Sequence, residues 1–289
     1  VVLLVIGAPI GVAIGMSSAV SMICMIPADV SFATSAQRIF AGSNSFSLIA
    51  IPFFILAGNI MNNGGIATRL VNCAKVISGR MPGALAQSNV VANMLFGAIS
   101  GSGAAAAAAM GGTIGPLEEK EGYDKNYSTA VNVASAPVGM LIPPSNTMIV
   151  YSSVAGSVSI AALFMAGYIP GLLWGGAVMI LAGIMAKKRG YQAEQRVPVK
   201  VALKTFWQAI PSLLLIVIVI GGILGGIFTA TEGSAIAVVY ATVLSLIYKA
   251  FKIKDIPRIV LEAAKTTGII TFMIGLSSIM SWAMAFTGI

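Results

Sequence analysis

Long apolar runs without charge alternate with short charged clusters along this chain. The uncharged runs are Ile39–Thr68, Met81–Leu117, Asn126–Ala186, Thr205–Thr231, Gly233–Tyr248 and Thr266–Ile289. A helix needs about 20 mostly apolar residues to cross a hydrocarbon core. The pattern therefore predicts spans at Val1–Ile26, Ser47–Met61, Tyr127–Ala155, Ser159–Ala186, Ala209–Phe228, Gly233–Tyr248 and Gly268–Gly288. Ser47–Met61 and Gly233–Tyr248 are short and need help from their flanks or from thin surroundings. The fold class is an all-α polytopic membrane protein.

Composition narrows the function. The chain has 289 residues, 57% of them hydrophobic and 9% charged, with no histidine. A soluble domain carries roughly a quarter of its residues as charges, so soluble enzymes, nucleic-acid binders and disulfide scaffolds are excluded. The lack of histidine removes the commonest general base and metal ligand. Cys24 and Cys73 have no paired spacing and read as small apolar residues. Val1 and Ile289 both lie inside apolar runs, so the expectation is a piece of a longer chain.

The charges choose the topology. If Pro82–Leu117 does not cross, Arg69–Arg80, Glu118–Lys125, Lys187–Lys204 and Lys249–Lys265 fall on one side, against Asp29, Arg38 and Glu232 on the other. Of 17 Lys and Arg, all but Arg38 then share the face that the positive-inside rule makes cytoplasmic. Within Pro82–Leu117, the glycines and serines of Gly97–Gly103 break the helix. Each arm of about 15 residues is about 22 Å long, too short for a core of about 30 Å. A hairpin that enters from the cytoplasm and turns near the midplane fits; one kinked span with Gly and Ala at packing faces is the plainer alternative. Downstream, Pro137, Pro143 and Pro144 cannot sit in a continuous helix, so Tyr127–Ala155 is broken near its middle. Irregular backbone at membrane depth is tolerated only when buried in protein or lining a cavity. A half-membrane hairpin beside a discontinuous helix is how secondary transporters build their sites.

The chain also reads as inverted repeats. Span, connector (Pro27–Ser47) and span recur as Gly233–Tyr248, connector (Lys249–Gly268) and Ile269–Gly288 in the opposite orientation. A second hairpin and broken helix are expected beyond Ile289. The units are 1–80, scaffold helices with the basic amphipathic arm Ile66–Arg80 on the cytoplasmic surface; 81–157, the hairpin (82–117) and broken helix (127–155) of a transport domain; 158–208, a helix and basic cytoplasmic linker; and 209–289, the start of a second repeat.

Neither Met81–Leu117 nor Asn126–Ala186 contains Asp, Glu, His, Lys or Arg, whereas intramembrane proton relays need ionisable side chains. Sodium is instead expected, two or more ions in the full-length protein, held by hydroxyls and freed carbonyls. The candidate set is Ser100, Gly101, Ser102 and Gly103 at the tip, facing Pro137, Val138, Gly139, Ile142 and Pro143. Gly139 would let the two backbones approach closely. Ser135, Ser145 and Asn146 are substrate candidates. The two serines equally well bond the preceding turn, and Asn146 equally well caps the restarting helix. Asn89 and Asn93 should bridge the hairpin to a neighbour, Ala104–Ala109 should be a close-packing face, and Glu232 a cap. Trp174, Trp207 and Trp282 read as interfacial anchors.

Four ordered motifs, Ala50–Asn59, Gly97–Gly103, Pro137–Ser145 and Gly226–Glu232, resemble the large membrane subunit of the tripartite ATP-independent periplasmic (TRAP) transporters. The resemblance implies a sodium-coupled, elevator-type importer in the bacterial inner membrane. Its partners would be a small four-helix membrane subunit, separate or fused, and a periplasmic substrate-binding protein. The cargo would be an organic anion, C4-dicarboxylate or sialic acid, with sialic acid preferred. No paired acids suggest an enzyme. A passive anion channel or facilitator is the alternative.

Overall fold

The computed structural model describes residues 2–156, 158–191 and 198–288, and those residues form helices joined by short turns. The predicted first span is interrupted. A short helix α1 (Val2–Val5) and α2 (Ile10–Ile23) are separated where Gly7 takes φ +90 and Pro9 follows. Val1 lies outside the described residues, and α2 is only 14 residues long. A mostly apolar composition hid the break, because one glycine and one proline do not change the hydropathy of the run.

Most of the predicted outer connector Pro27–Ser47 is the helix α3 (Ala28–Ser43). A 3-10 turn at Phe46–Ile49 leads into α4 (Ala50–Asn63), the expected second span. Helix α5 (Ile66–Ser78) is the amphipathic arm. Its apolar residues Ile66, Leu70, Val71 and Ala74 are buried within the protein, and Arg69 stacks 3.3 Å over the Tyr248 ring.

The hairpin is present. Helix α6 (Ala84–Ser100) and α7 (Gly103–Thr113) bury Ala92 and Phe96 against Ala106, Ala109 and Met110, the order of an antiparallel pair. Ala67, Val71 and Ala74 of α5 complete that cluster. Of the six alanines, Ala106 and Ala109 are buried and Ala104 and Ala108 exposed, so the run is a close-packing face on one side only. A short α8 (Gly115–Lys120) ends the unit.

The broken span comprises α9 (Lys125–Ser135), a single turn α10 (Val138–Leu141) and α11 (Asn146–Ala155), with a bend of 47° between its halves. Two long apolar helices follow, α12 (Ile160–Lys188) and α13 (Val199–Leu224), then α14 (Ala230–Ile247) and α15 (Ile256–Thr287). Part of the predicted basic linker, 192–197, lies outside the described residues, as does Ile289. Two boundaries are corrected: α13 starts at Val199 rather than Ala209, and α15 at Ile256 rather than Gly268. Both extensions carry charged residues that interrupt the apolar pattern without interrupting the helix. Among the described residues, five helices are long and apolar enough to cross a membrane, or six with the bent pair counted as one span.

Packing among these helices relies on small residues, as expected where lipid competes for apolar contact. Gly167, Gly171 and Gly175 of α12, spaced four apart, face the Leu141 carbonyl, Ile142 and Met94. On the other side, Gly15 meets Leu276, and Gly275 meets Ile39 and Ser43. A close backbone-to-backbone approach joins α6 to α10. A Cβ on Gly97 would stand 2.2 Å from the Gly139 Cα, and one on Gly139 2.6 Å from the Gly97 Cα. Overpacking a tight contact costs about 1–3 kcal/mol. Gly97→Ala and Gly139→Ala should each lower stability by at least that much in thermal unfolding of the detergent-solubilised protein. Gly112→Ala, where nothing lies within 4 Å, should be neutral or slightly stabilising by helix propensity.

Candidate ion and substrate site

Each helical interruption leaves backbone groups that need partners, and the two interruptions supply them to each other. Helix α6 closes on Gly101 at φ +60, a conformation glycine adopts cheaply. Ser102 is extended and caps α7, its hydroxyl accepting from the Ala105 N–H at 3.3 Å. Across from it, Ser145 caps α11 by accepting from the Met148 N–H and donates to the Met140 carbonyl. Asn146 is thus not the cap. It is the first residue of α11, and its N–H donates to the Gly101 carbonyl at 3.2 Å, while Nδ2 donates to the Ser100 carbonyl at 3.4 Å. Its Oδ1 is buried without a partner.

Of the sodium candidates, Ser100, Gly101, Ser102 and Gly103 line one cavity of about 450 Å³, together with Asn146, which was read as a substrate contact. Pro137, Val138, Gly139, Ile142 and Pro143 are not among the residues that line that cavity, and Pro137 lines another with Leu141 and Trp174. The α10 turn uses some carbonyls expected to be free, for Pro137 O accepts from Met140 N and Val138 O from Ile142 N. Val138 and Ile142 bury their side chains with Ala98. Gly139 does permit the close backbone approach, at Gly97, one turn before the tip.

Ser135 lies deeper, on a polar face shared by α6 and α9. Asn93 Nδ2 donates to Asn89 Oδ1 at 2.8 Å, to Ser135 Oγ at 2.8 Å and to Asn132 Oδ1 at 3.0 Å. Ser135 Oγ donates back to Val131 O and Asn132 O, and Asn132 Nδ2 donates to Ala107 O of the second hairpin arm. The expected bridge from the hairpin to its neighbour is therefore this network. Trp174, halfway along α12, donates to Ala134 O at 2.9 Å, so it ties two helices together. Glu232 forms a capping box with Thr229.

Two acids escaped the sequence reading. Glu262 of α15 lines the cavity at the tip, although the charge pattern grouped it with the cytoplasmic cluster. Glu118 of α8 is 1% exposed, and no hydrogen bond of normal length reaches its oxygens, though the Ser128 hydroxyl and the Asn89 amide act on them. Desolvation pushes its carboxyl up to about 7, against the pull of nearby Ser128 and Asn89. Nothing in the cluster of Glu118, Glu119 and Glu121 distinguishes the one that turns inward.

With this geometry in hand, the comparisons can be read. All of residues 1–289 match the family model described as the tripartite ATP-independent periplasmic transporter, DctM component. The chain belongs to the TRAP transporter large permease family. It is 50% identical over 98% of its length to the uncharacterized protein YgiK of Salmonella typhimurium, covering 65% of that protein. It is 35% identical over its whole length to the C4-dicarboxylate TRAP large permease DctM of Rhodobacter capsulatus, covering 68% of it. To the sialic acid TRAP large permease SiaM of Vibrio cholerae it is 35% identical over 98%, covering 66%. The chain thus spans about two thirds of the length of these TRAP relatives.

The pH dependence of Glu118 follows from the upward shift. The packed state holds this proton more tightly than the unfolded chain, so its contribution is present below the unfolded value of 4.5 and is lost as pH rises toward about 7. The loss is on the order of 2–3 kcal/mol. In sodium-free buffer, Glu118→Gln should unfold at nearly the same temperature at pH 5 and pH 8, while the parent protein unfolds lower at pH 8.

Proposed function

We propose that this chain is the ion- and substrate-binding portion of a sodium-coupled TRAP permease that imports an organic anion by an elevator motion. The observation that carries the reading is the mutual closure of the two interrupted backbones, Ser100–Gly101 against Asn146, on the wall of one cavity. Hydroxyl and carbonyl oxygens there suit a hard cation; the hairpin and the broken helix bring no acid, and the carboxyl in that cavity comes from Glu262 of α15. Cavities of about 300–1,000 Å³ bind small organic ligands, so the space beside the tip suits a carboxylic acid of the sialic acid or C4-dicarboxylate class. The start of α11 adds the positive end of a helix dipole.

Helix pairing supports an inverted-repeat reading. Helix α2 packs on α15 and α4 on α14, and these pairs exchange if α2 corresponds to α14 and α4 to α15. In this arrangement α4, α14 and α15 form a fixed scaffold, and the hairpin with the broken helix slides against it. A small membrane subunit, separate or fused, would widen the scaffold, and a periplasmic binding protein would deliver the anion.

The test is uptake by the full-length permease with its partner subunit and binding protein in proteoliposomes. Uptake should follow an inward sodium gradient and ignore a proton gradient. Ser100→Ala and Ser102→Ala should raise the sodium concentration for half-maximal uptake by about three- to tenfold, the loss of one oxygen ligand at roughly 1 kcal/mol. Unchanged sodium dependence in both variants moves the ion site elsewhere, and uptake without any ion gradient against the substrate gradient would identify a facilitator.

A further inference from the structure

We propose that the foot of the hairpin holds a separate site for one hard monovalent cation, with Glu118 of α8, Ser128 of α9 and Asn89 of α6 as its ligands. This inference stands apart from the tip site. Asn89 and Ser100 are eleven residues apart on α6, about 16 Å along a helix.

Three observations converge there. Glu118, Asn89 and Ser128 line one cavity of about 340 Å³, to which Asn132 also contributes. Their relative exposures are 1%, 0% and 9%. Glu118 Oε1 and Oε2 and Ser128 Oγ are buried without a hydrogen bond of normal length. Even so, the Ser128 hydroxyl and the Asn89 amide, whose Nδ2 is an unpaired donor that no cation satisfies, act on the carboxyl in favour of its ionised form. A buried carboxylate needs neutralising, and a buried polar atom needs a partner. Among the described residues the ion pair near this region joins Arg189 to Asp124 and leaves Glu118 aside. Helices α6 and α7 bring no titratable group. From α9 and the turn before it come Lys125, Tyr127 and Tyr123, and from α8 itself Glu119; Lys125 and Glu119 are exposed at the cavity wall.

A proton would cancel the charge but satisfy a single oxygen. A cation draws both carboxylate oxygens, the Ser128 hydroxyl and the second lone pair of Asn89 Oδ1 into one coordination shell. Water, which the cavity has room for, would complete it. Because each ligand comes from a different helix, the ion would clamp α6, α8 and α9 together where the hairpin meets the broken span.

The test is infrared difference spectroscopy of the full-length permease in detergent, NaCl or KCl against choline chloride at constant ionic strength. A carboxylate band that shifts with the alkali cation should vanish in Glu118→Gln and persist in Ser100→Ala and Ser102→Ala, whose loss would instead report the tip. Ser128→Ala keeps the acid and should raise the half-saturating cation concentration three- to tenfold, which carries the test if Glu118→Gln does not fold. A Glu118 band of the protonated acid that no alkali cation alters would overturn the proposal and leave a proton as the sole occupant.

Discussion

A peptide group freed from a helix inside an apolar environment has to find a partner in the protein, because none exists in the surroundings. Everything distinctive about this chain follows from meeting that demand twice in one place. The hairpin must turn at Gly101, and the long span must restart after Pro144. Each event on its own would strand carbonyls and amides. Set against each other, the Gly101 and Ser100 carbonyls receive the Asn146 N–H and side-chain amide. The same pairing brings two helix starts, α7 and α11, to one wall of a cavity.

Bringing the breaks together sets a steric condition on the segments behind them. Helix α6 and the α10 turn have to touch backbone to backbone, which is why the contact is Gly97 on Gly139 and why no Cβ fits at either. The same condition extends to α12, whose Gly167 and Gly171 receive Leu141 and Ile142, where the α10 turn ends. Without side chains to interdigitate, such contacts have little to fix their register. The Asn93 network does so instead, since a directional bond from one amide to Asn132 and Ser135 of α9 is lost when the helices slide by a residue.

The hairpin and the broken span were legible because glycine, serine and proline act locally. They prohibit or permit backbone conformations at their own positions, and no tertiary information is needed to see where a helix fails. The family motifs were legible for the same reason. Boundaries set by packing were not. Lys200 and Lys204 on α13, and Arg258, Glu262 and Lys265 on α15, read as linker because charge breaks an apolar run. A long cationic side chain keeps its head in water while its stem stays on a helix, so the helix continues. The ion-site residues divide along the same line. The tip residues, fixed by local sequence, line the cavity. The Pro137–Pro143 carbonyls depended on how far the helix recovers after Pro137, and the α10 turn consumes part of them. Glu118 and Glu262 were missed because inward or outward orientation of an acid at a helix end is decided by neighbours such as Asn89 and Ser128, which the linear pattern does not reveal.

The polar residues of α6 and α9 then acquire a common explanation. Asn89, Asn93, Gly97 and Ser100 are spaced four, four and three along α6, and Ser128, Asn132 and Ser135 four and three along α9. These spacings keep one helical face in line, so the interface is a polar seam that runs from the Glu118 cavity to the tip. Burying such a seam costs more than an apolar one unless its atoms are paired. In its middle Asn93 Nδ2, Asn132 and Ser135 are paired while Asn93 Oδ1 is not, and further unpaired atoms lie at Glu118, Asn89 and Ser128 at one end and at Asn146 Oδ1 at the other. The bonds that Asn93 makes to α9 hold the two helices in register, while the unpaired groups at each end are left facing a cavity. Ser135 and Asn93 bond to each other within the seam, away from the residues that line the tip cavity.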